Sequence, residues 1–176
     1  MSPRLSFFTD LVIFQCAWFA CVLATVSPIP YLLPAVGTLL VLIRSISTRG
    51  IRQVLPFTLA CLFLGILGDG TLVYLNLLIF EPYPDLFGAP LWMIALWINF
   101  GLMLRPLFTW FLENFLRSII GFSLGGVVAY YSGQKLGVLT FVTDFNSHIG
   151  VALEWAFAGI ILHFIHLKFP SVESSQ

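Results

Sequence analysis

The sequence predicts an all-α, polytopic membrane protein with six transmembrane helices. Three observations lead there. Hydrophobic residues make up 59% of the chain and charged residues only 9%, against about 25% charged in a soluble domain. Mean hydropathy is +0.99. The apolar residues fall into six runs separated by short breaks of proline, glycine and charge, most of them near the ~20 residues that cross a ~30 Å hydrocarbon layer. A soluble fold of 176 residues could not hide that much apolar surface, whereas lipid covers it. The formal net charge is zero, so no nucleic-acid partner is expected. The first partner expected is the lipid bilayer.

Segment one covers about Phe8–Val26. Asp10 opens it near the interface, and Gln15 and Trp18 are spaced to share a face. Arg4 before an apolar run resembles a signal peptide. Trp18 and Phe19, however, are bulky where a cleavage site before Cys21 wants small residues, so the segment is read as a retained helix. Ser27-Pro28-Ile29-Pro30 breaks the helix, because proline cannot continue it and restrains its predecessor. Segment two is short, about Tyr31–Ile43 extending to Ser45, with Pro34 in its first turn. Arg44–Arg52 reads as a basic loop.

Segment three runs from about Val54 to Phe80 and is the longest. A helix of that length spans ~40 Å, more than the bilayer requires, so it must tilt, kink or protrude. The cluster Gly65, Gly68 and Gly70 is the expected kink. Asp69 lies inside this cluster, and helical spacing places it on one face with Gly65 and Asn76. Glu81–Gly88 is an acidic, proline-rich loop. Segment four is about Ala89–Leu104, ended by Arg105-Pro106, with Trp92 and Asn99 on one face and Trp97 elsewhere around the helix. Phe108, Trp110 and Phe111 then read as an interfacial aromatic belt.

Segment five, about Leu116–Leu136, carries small residues at four-residue spacing: Gly121, Gly125, Ala129, Gly133 and Gly137. Such a stripe is expected to pack another helix closely. Thr140–Ser147 is a loop. Segment six, about His148–Leu167, contains Glu154. Residues 1–168 are read as one transmembrane domain and 169–176 as a polar cytoplasmic tail. Of the eight Lys and Arg residues, Arg4, Arg44, Arg49, Arg52, Arg105, Arg117 and Lys168 flank one side, and Lys135 alone flanks the other. The positive-inside rule then places both termini in the cytoplasm.

An ionisable group at mid-membrane costs roughly 2.5–3.5 kcal/mol, so Asp69 must face protein or water, and such groups are functional candidates by default. The candidate ligand-binding set is Asp69, Asn76, Asn99, Glu154, Gln15, Trp18 and Trp92, imagined as the polar and aromatic lining of one cavity. Interhelical hydrogen bonding explains the amides equally well. Cys16, Cys21 and Cys61 lie in apolar runs and read as packing residues. His163 and His166 have no matching ligands on their side, so no metal is assigned. There is no phosphate loop, nucleophile elbow or zinc-protease motif. No cofactor and no catalytic residue are assigned, and the sequence leans away from an enzyme.

Phe14-Gln15-Cys16-Ala17-Trp18-Phe19, Gly65 through Asp69, Pro90-Leu91-Trp92 through Trp97, and Gly121 to Gly137 together resemble an uncharacterised family of small bacterial inner-membrane proteins, DUF2878. The resemblance covers most of the chain. Where that family's pattern has a short polar run after segment four, this chain has Leu104-Arg105-Pro106-Leu107. The resemblance implies an inner-membrane location and brings no activity.

Three functions therefore compete. The protein could bind an apolar ligand, or a membrane-protein partner or second copy of itself, around a polar site at Asp69. It could be an enzyme or accessory subunit acting on membrane lipid. It could be a small proton-linked carrier, although the internal repeat expected of a carrier is not evident.

Overall fold

The computed structural model describes residues 2–170. The polar tail expected beyond Pro170 lies outside the described residues. Among the described residues, six helices are long and apolar enough to cross a membrane. They are α1 (Pro3–Val22, prolonged by a 3-10 turn, Leu23–Val26), α2 (Leu32–Arg49), α3 (Ile51–Tyr74), α4 (Leu91–Leu112), α5 (Phe115–Lys135) and α6 (Asp144–Lys168). Leu39, Ile43, Leu67, Leu124, Val128, Leu153 and Phe157 are exposed on the bundle surface, as lipid contact requires.

The hub is α4. Over half of its most apolar stretch is buried (56%), against 22–33% in the other five helices. It packs against α1, α2, α3 and α5. The close approaches use small residues. A Cβ at Gly101 of α4 would sit 2.7 Å from Thr58 Cα, one at Gly159 of α6 would sit 2.7 Å from the Ser118 carbonyl oxygen, and one at Gly37 of α2 would sit 3.1 Å from Ala17 Cα. Ser118 Oγ donates to the Gly159 carbonyl at 2.9 Å and Ser123 Oγ to that of Ala152 at 3.0 Å, joining α5 to α6.

Several boundaries differ from expectation, each for a physical reason. Arg44–Arg49 is not loop but the last turns of α2, and Gly50 (φ +78°) alone makes the turn into α3. Asp10 causes this. It is buried on α1, accepts from Arg44 Nε at 2.6 Å, and pairs also with Arg49. Pro106 does not end α4. Its missing N–H would orphan the Leu102 carbonyl, and Ser45 Oγ of α2 donates to that carbonyl at 3.2 Å.

The α3 helix stops at Tyr74, not Phe80, and stays a continuous helix through the glycine cluster. It ends in a left-handed cap. Asn76 has φ 55°, its N–H bonds the Val73 carbonyl, and the Leu77 N–H bonds that of Leu72. The α5 helix ends the same way, with Gly137 (φ +73°) bonded to Gln134 and Val138 bonded to Gly133. The freed segments β1 (Leu78–Phe80) and β4 (Leu139–Phe141) pair antiparallel, with Leu78 opposite Phe141. A second two-stranded ribbon, β2 (Asp85–Leu86) and β3 (Ala89–Pro90), turns at Phe87-Gly88 with both φ positive, the backbone a tight hairpin requires. These strands cap the end of the bundle opposite the chain termini.

Candidate functional site

Asp69 is fully buried on α3, and both its oxygens accept hydrogen bonds from other helices. Trp97 Nε1 of α4 donates to Oδ2 at 2.9 Å. The Tyr130 hydroxyl of α5 donates to Oδ1 at 2.6 Å. Trp155 of α6 stacks on Trp97 with ring centroids 4.4 Å apart and planes 20° from parallel. Three helices therefore meet at one carboxyl group, and α6 joins them through the Trp97 ring. An indole can only donate, which fixes Oδ2 as acceptor, whereas a phenol can donate or accept. A proton can accordingly sit on either partner of the Oδ1–Tyr130 bond.

The glycines around Asp69 are explained by what faces them. A Cβ at Gly65 would collide with the Trp97 indole, and one at Gly68 with the Glu154 carboxyl. One at Gly70 would lie 2.7 Å from the Phe87 carbonyl oxygen. The cluster clears space for an indole, a carboxyl group and a loop; it does not break the helix. Glu154 lies against Gly68, and both its oxygens are enclosed without a hydrogen-bond partner. It lines an open groove of about 950 Å³ between α3 and α6.

A second cavity, about 320 Å³, lies between α1, α4 and α5. Phe14, Gln15 and Trp18 line it from α1, Trp92, Trp97, Phe100, Phe108 and Phe111 from α4, and Gly121, Phe122, Gly125, Gly126, Ala129, Tyr130 and Gly133 from α5. Phe100 is the aromatic centre, with Phe122 at 5.6 Å and Trp155 at 5.2 Å, both edge-on. Gln15, on α1, is exposed at the cavity's edge.

This geometry sorts the residues singled out from sequence. Gln15, Trp18 and Trp92 do share one cavity. Asp69 does not line it but reaches it through Trp97 and Tyr130. Glu154 faces the other groove. Asn99 is buried elsewhere, its amide 3.6 Å from Cys21 Sγ. Asn76 is an exposed helix cap and shares no face with Asp69.

The small-residue stripe of α5 also needs correction, because among the described residues no helix backbone lies against its glycines. Gly121 faces the Phe111 ring, Gly133 faces Val138 and Leu139, and among the described residues nothing lies within 4 Å of a Cβ at Gly125 or Gly137. Gly137 is a turn residue. The stripe from Gly121 to Gly133 instead forms a wall of the cavity. The contact with α6 uses Ser118, Ser123 and Gly126.

Sequence reasoning missed Trp97, Tyr130 and Trp155 as a set. Trp97 lies 28 residues from Asp69 and Tyr130 lies 61, so no local pattern connects them. Phe108 and Phe111 were expected in an interfacial belt and instead line the cavity, while Trp110 is exposed beneath the Arg117 guanidinium at 4.3 Å.

Fold and site together define a six-helix membrane protein with a four-helix polar node beside an aromatic cavity. The model of a family described as "Protein of unknown function (DUF2878)" matches residues 8–160, and the chain belongs to that family. No curated protein and no solved structure matches it.

Proposed function

We propose that the protein holds the apolar chain of a membrane-phase ligand in the cavity between α1, α4 and α5, with Asp69 fixing two of its walls. The observation that carries this reading is the cavity itself. Its volume, about 320 Å³, falls in the range of small-molecule sites. The stretch of α5 that lines it, Gly121 to Gly133, extends ~18 Å along the helix axis, which suits a linear acyl or prenyl chain. Gly125 is exposed midway along α5, so the mouth opens sideways toward lipid. Trp97 and Tyr130 are held in the cavity wall by their bonds to Asp69. Placement in an inner membrane with both termini cytoplasmic belongs to the same proposal and rests on the cationic asymmetry.

A proton-linked role is the second reading. It is favoured by the Glu154 carboxyl, unpartnered and packed against Gly68, one residue from Asp69.

The test uses tryptophan fluorescence. Trp18, Trp92, Trp97 and Trp155 all line the cavity, while Trp110 is exposed and is removed as background with Trp110→Phe. Lipids brominated along the chain should quench the wild-type cavity tryptophans. Gly125→Phe introduces a ring where nothing lies within 4 Å, so the fold should survive. Quenching should weaken about tenfold in apparent affinity, the effect of losing ~1.4 kcal/mol. Equal quenching of a well-folded Gly125→Phe protein would refute the proposal.

A further inference from the structure

Arg105 sits on α4 about two turns before its end, and its guanidinium reaches the first turn of α3. Its Nη1 donates to Gln53 Oε1, and its Cζ lies 4.8 Å from the centroid of the Phe57 ring. The remaining nitrogens, Nε and Nη2, are enclosed and have no hydrogen-bond partner among the described residues. His166, in the last turn of α6, is close enough for the two charges to interact, and its Nδ1 is also enclosed and unpartnered. The exposed C-cap residue Glu113 acts on His166 as well. Among the described residues, the ion pairs are those of Asp10 with Arg44 and Arg49, so no carboxylate pairs with Arg105.

The other cations at this end are accounted for. Arg44 and Arg49 bind Asp10, Arg117 stacks on Trp110, and Arg4, Arg52 and Lys168 are exposed. Of these cations, Arg105 is the one clamped by an amide and an aromatic ring, with two enclosed donors unpartnered among the described residues. A guanidinium presents parallel N–H groups that match phosphate oxygens. Basic pockets between transmembrane helices on the positively flanked side recognise anionic headgroups by this chemistry.

We propose that Arg105, oriented by Gln53 and Phe57 and joined by His166, forms a binding site for a phosphate-bearing anion at the end of the bundle that carries the chain termini. The phosphate can come from an anionic phospholipid headgroup or from free phosphate in solution. The site is separate from the aromatic cavity and does not depend on it.

The experiment uses the full chain in nanodiscs. In one arm, phosphatidylcholine is compared with phosphatidylcholine containing phosphatidylglycerol. In the other, inorganic phosphate is titrated into phosphatidylcholine discs. Thermal unfolding is read in both arms, and retained lipid is read by native mass spectrometry. Wild type should be stabilised by several degrees in at least one arm. Arg105→Gln should abolish the response and His166→Gln should weaken it, while Arg52→Gln, an equal loss of charge on an exposed residue, should preserve it. A response in the lipid arm alone identifies the headgroup, and one in the phosphate arm alone identifies the free ion. Wild type indifferent to both anions would overturn the proposal, as would equal losses in Arg52→Gln and Arg105→Gln. If Arg105→Gln does not fold, the wild-type arms and the comparison of His166→Gln with Arg52→Gln decide the matter.

Discussion

Replacing Asp69 tests the polar node directly. Asp69→Leu keeps the branched outline in a larger side chain but removes both acceptors, leaving the Trp97 indole and the Tyr130 hydroxyl without the partners they have now. Those residues are 2% and 3% exposed, so neither donor finds water. An orphaned buried donor costs ~1–3 kcal/mol by the scale of soluble proteins, and interhelical bonds in a membrane average about 0.6 kcal/mol. Enclosure at this site favours the upper scale, so a loss of about 2–4 kcal/mol is expected. Asp69→Asn should cost less than ~1 kcal/mol, because the amide oxygen can accept from the indole while the NH₂ group donates to the phenol oxygen. The assay is reversible unfolding in mixed detergent micelles followed by circular dichroism, with brominated-lipid quenching as the functional readout. Asp69→Leu should lose stability and quenching together, and Asp69→Asn should keep both. An Asp69→Leu protein as stable as wild type would refute the reasoning. An Asp69→Asn protein that folds and binds but fails in the cell would move the argument to the proton-linked reading.

Other predictions rest on separate features. Asp10→Asn keeps one acceptor oxygen but removes the buried negative charge between Arg44 and Arg49, and should cost about 2 kcal/mol, between exposed and buried pairs, as read by the same unfolding assay. Gly101→Ala pushes a Cβ to 2.7 Å from Thr58 Cα and 2.8 Å from the Phe57 carbonyl oxygen, and backbone cannot yield, so about 1–3 kcal/mol should be lost. Gly125→Ala, by contrast, should be neutral or better. For topology, reporters placed after Gln176 and at Gly50 should read cytoplasmic and one at Phe87-Gly88 should read external; an external C-terminus would refute the orientation.

The six spans were legible because bilayer thickness writes itself into composition. The ends of the helices were less legible, because they depend on distant partners. Nothing near Pro106 announces that Ser45, 57 residues from Leu102, will satisfy the carbonyl that the proline strands. Nothing near Arg44 announces Asp10, 34 residues away. Asn76 could have been read differently, since Asn is among the few residues that tolerate a left-handed cap. Apolar periodicity continued past it and outweighed that signal. The site divides in the same way. Asp69 stood out because a carboxyl group in an apolar run has one local meaning, costly unless sheltered. Its donors, an indole and a phenol, are ordinary residues of membrane helices and carry no local mark. The glycines beside it were visible as small, but whether a small residue bends a helix, admits a neighbouring backbone or clears room for a ring is decided by what faces it.

The α5 stripe shows what that ambiguity means for function. A small-residue face that meets no helix leaves space, and in a bilayer that space does not stay empty. At ~24 cal/mol per Å³ of void, a cavity of about 320 Å³ corresponds to about 8 kcal/mol if nothing fills it, comparable to the whole stability of an ordinary domain. On the proposed function, lipid tails entering at the lateral mouth beside Gly125 would remove that cost whichever chain enters. Apolar fit alone therefore gives a ligand no advantage over the surrounding lipid, because the tail it displaces is as apolar as itself. Selectivity has to come from polar contacts at the cavity, and few are available. The Gln15 amide stands at its edge, and the indole nitrogen of Trp92, a lining residue, is enclosed without a partner among the described residues. Indole nitrogens only donate, so a ligand that outcompetes lipid must bring acceptor oxygens. A chain bearing a carbonyl should accordingly bind in preference to the same chain as a plain hydrocarbon, and Trp92→Phe should erase that preference while leaving the hydrocarbon's affinity unchanged. Competition between a long-chain ketone and the matching alkane in the quenching assay measures both. Equal affinities in the wild type would show that the cavity is a lipid-filled packing defect with no selectivity of its own.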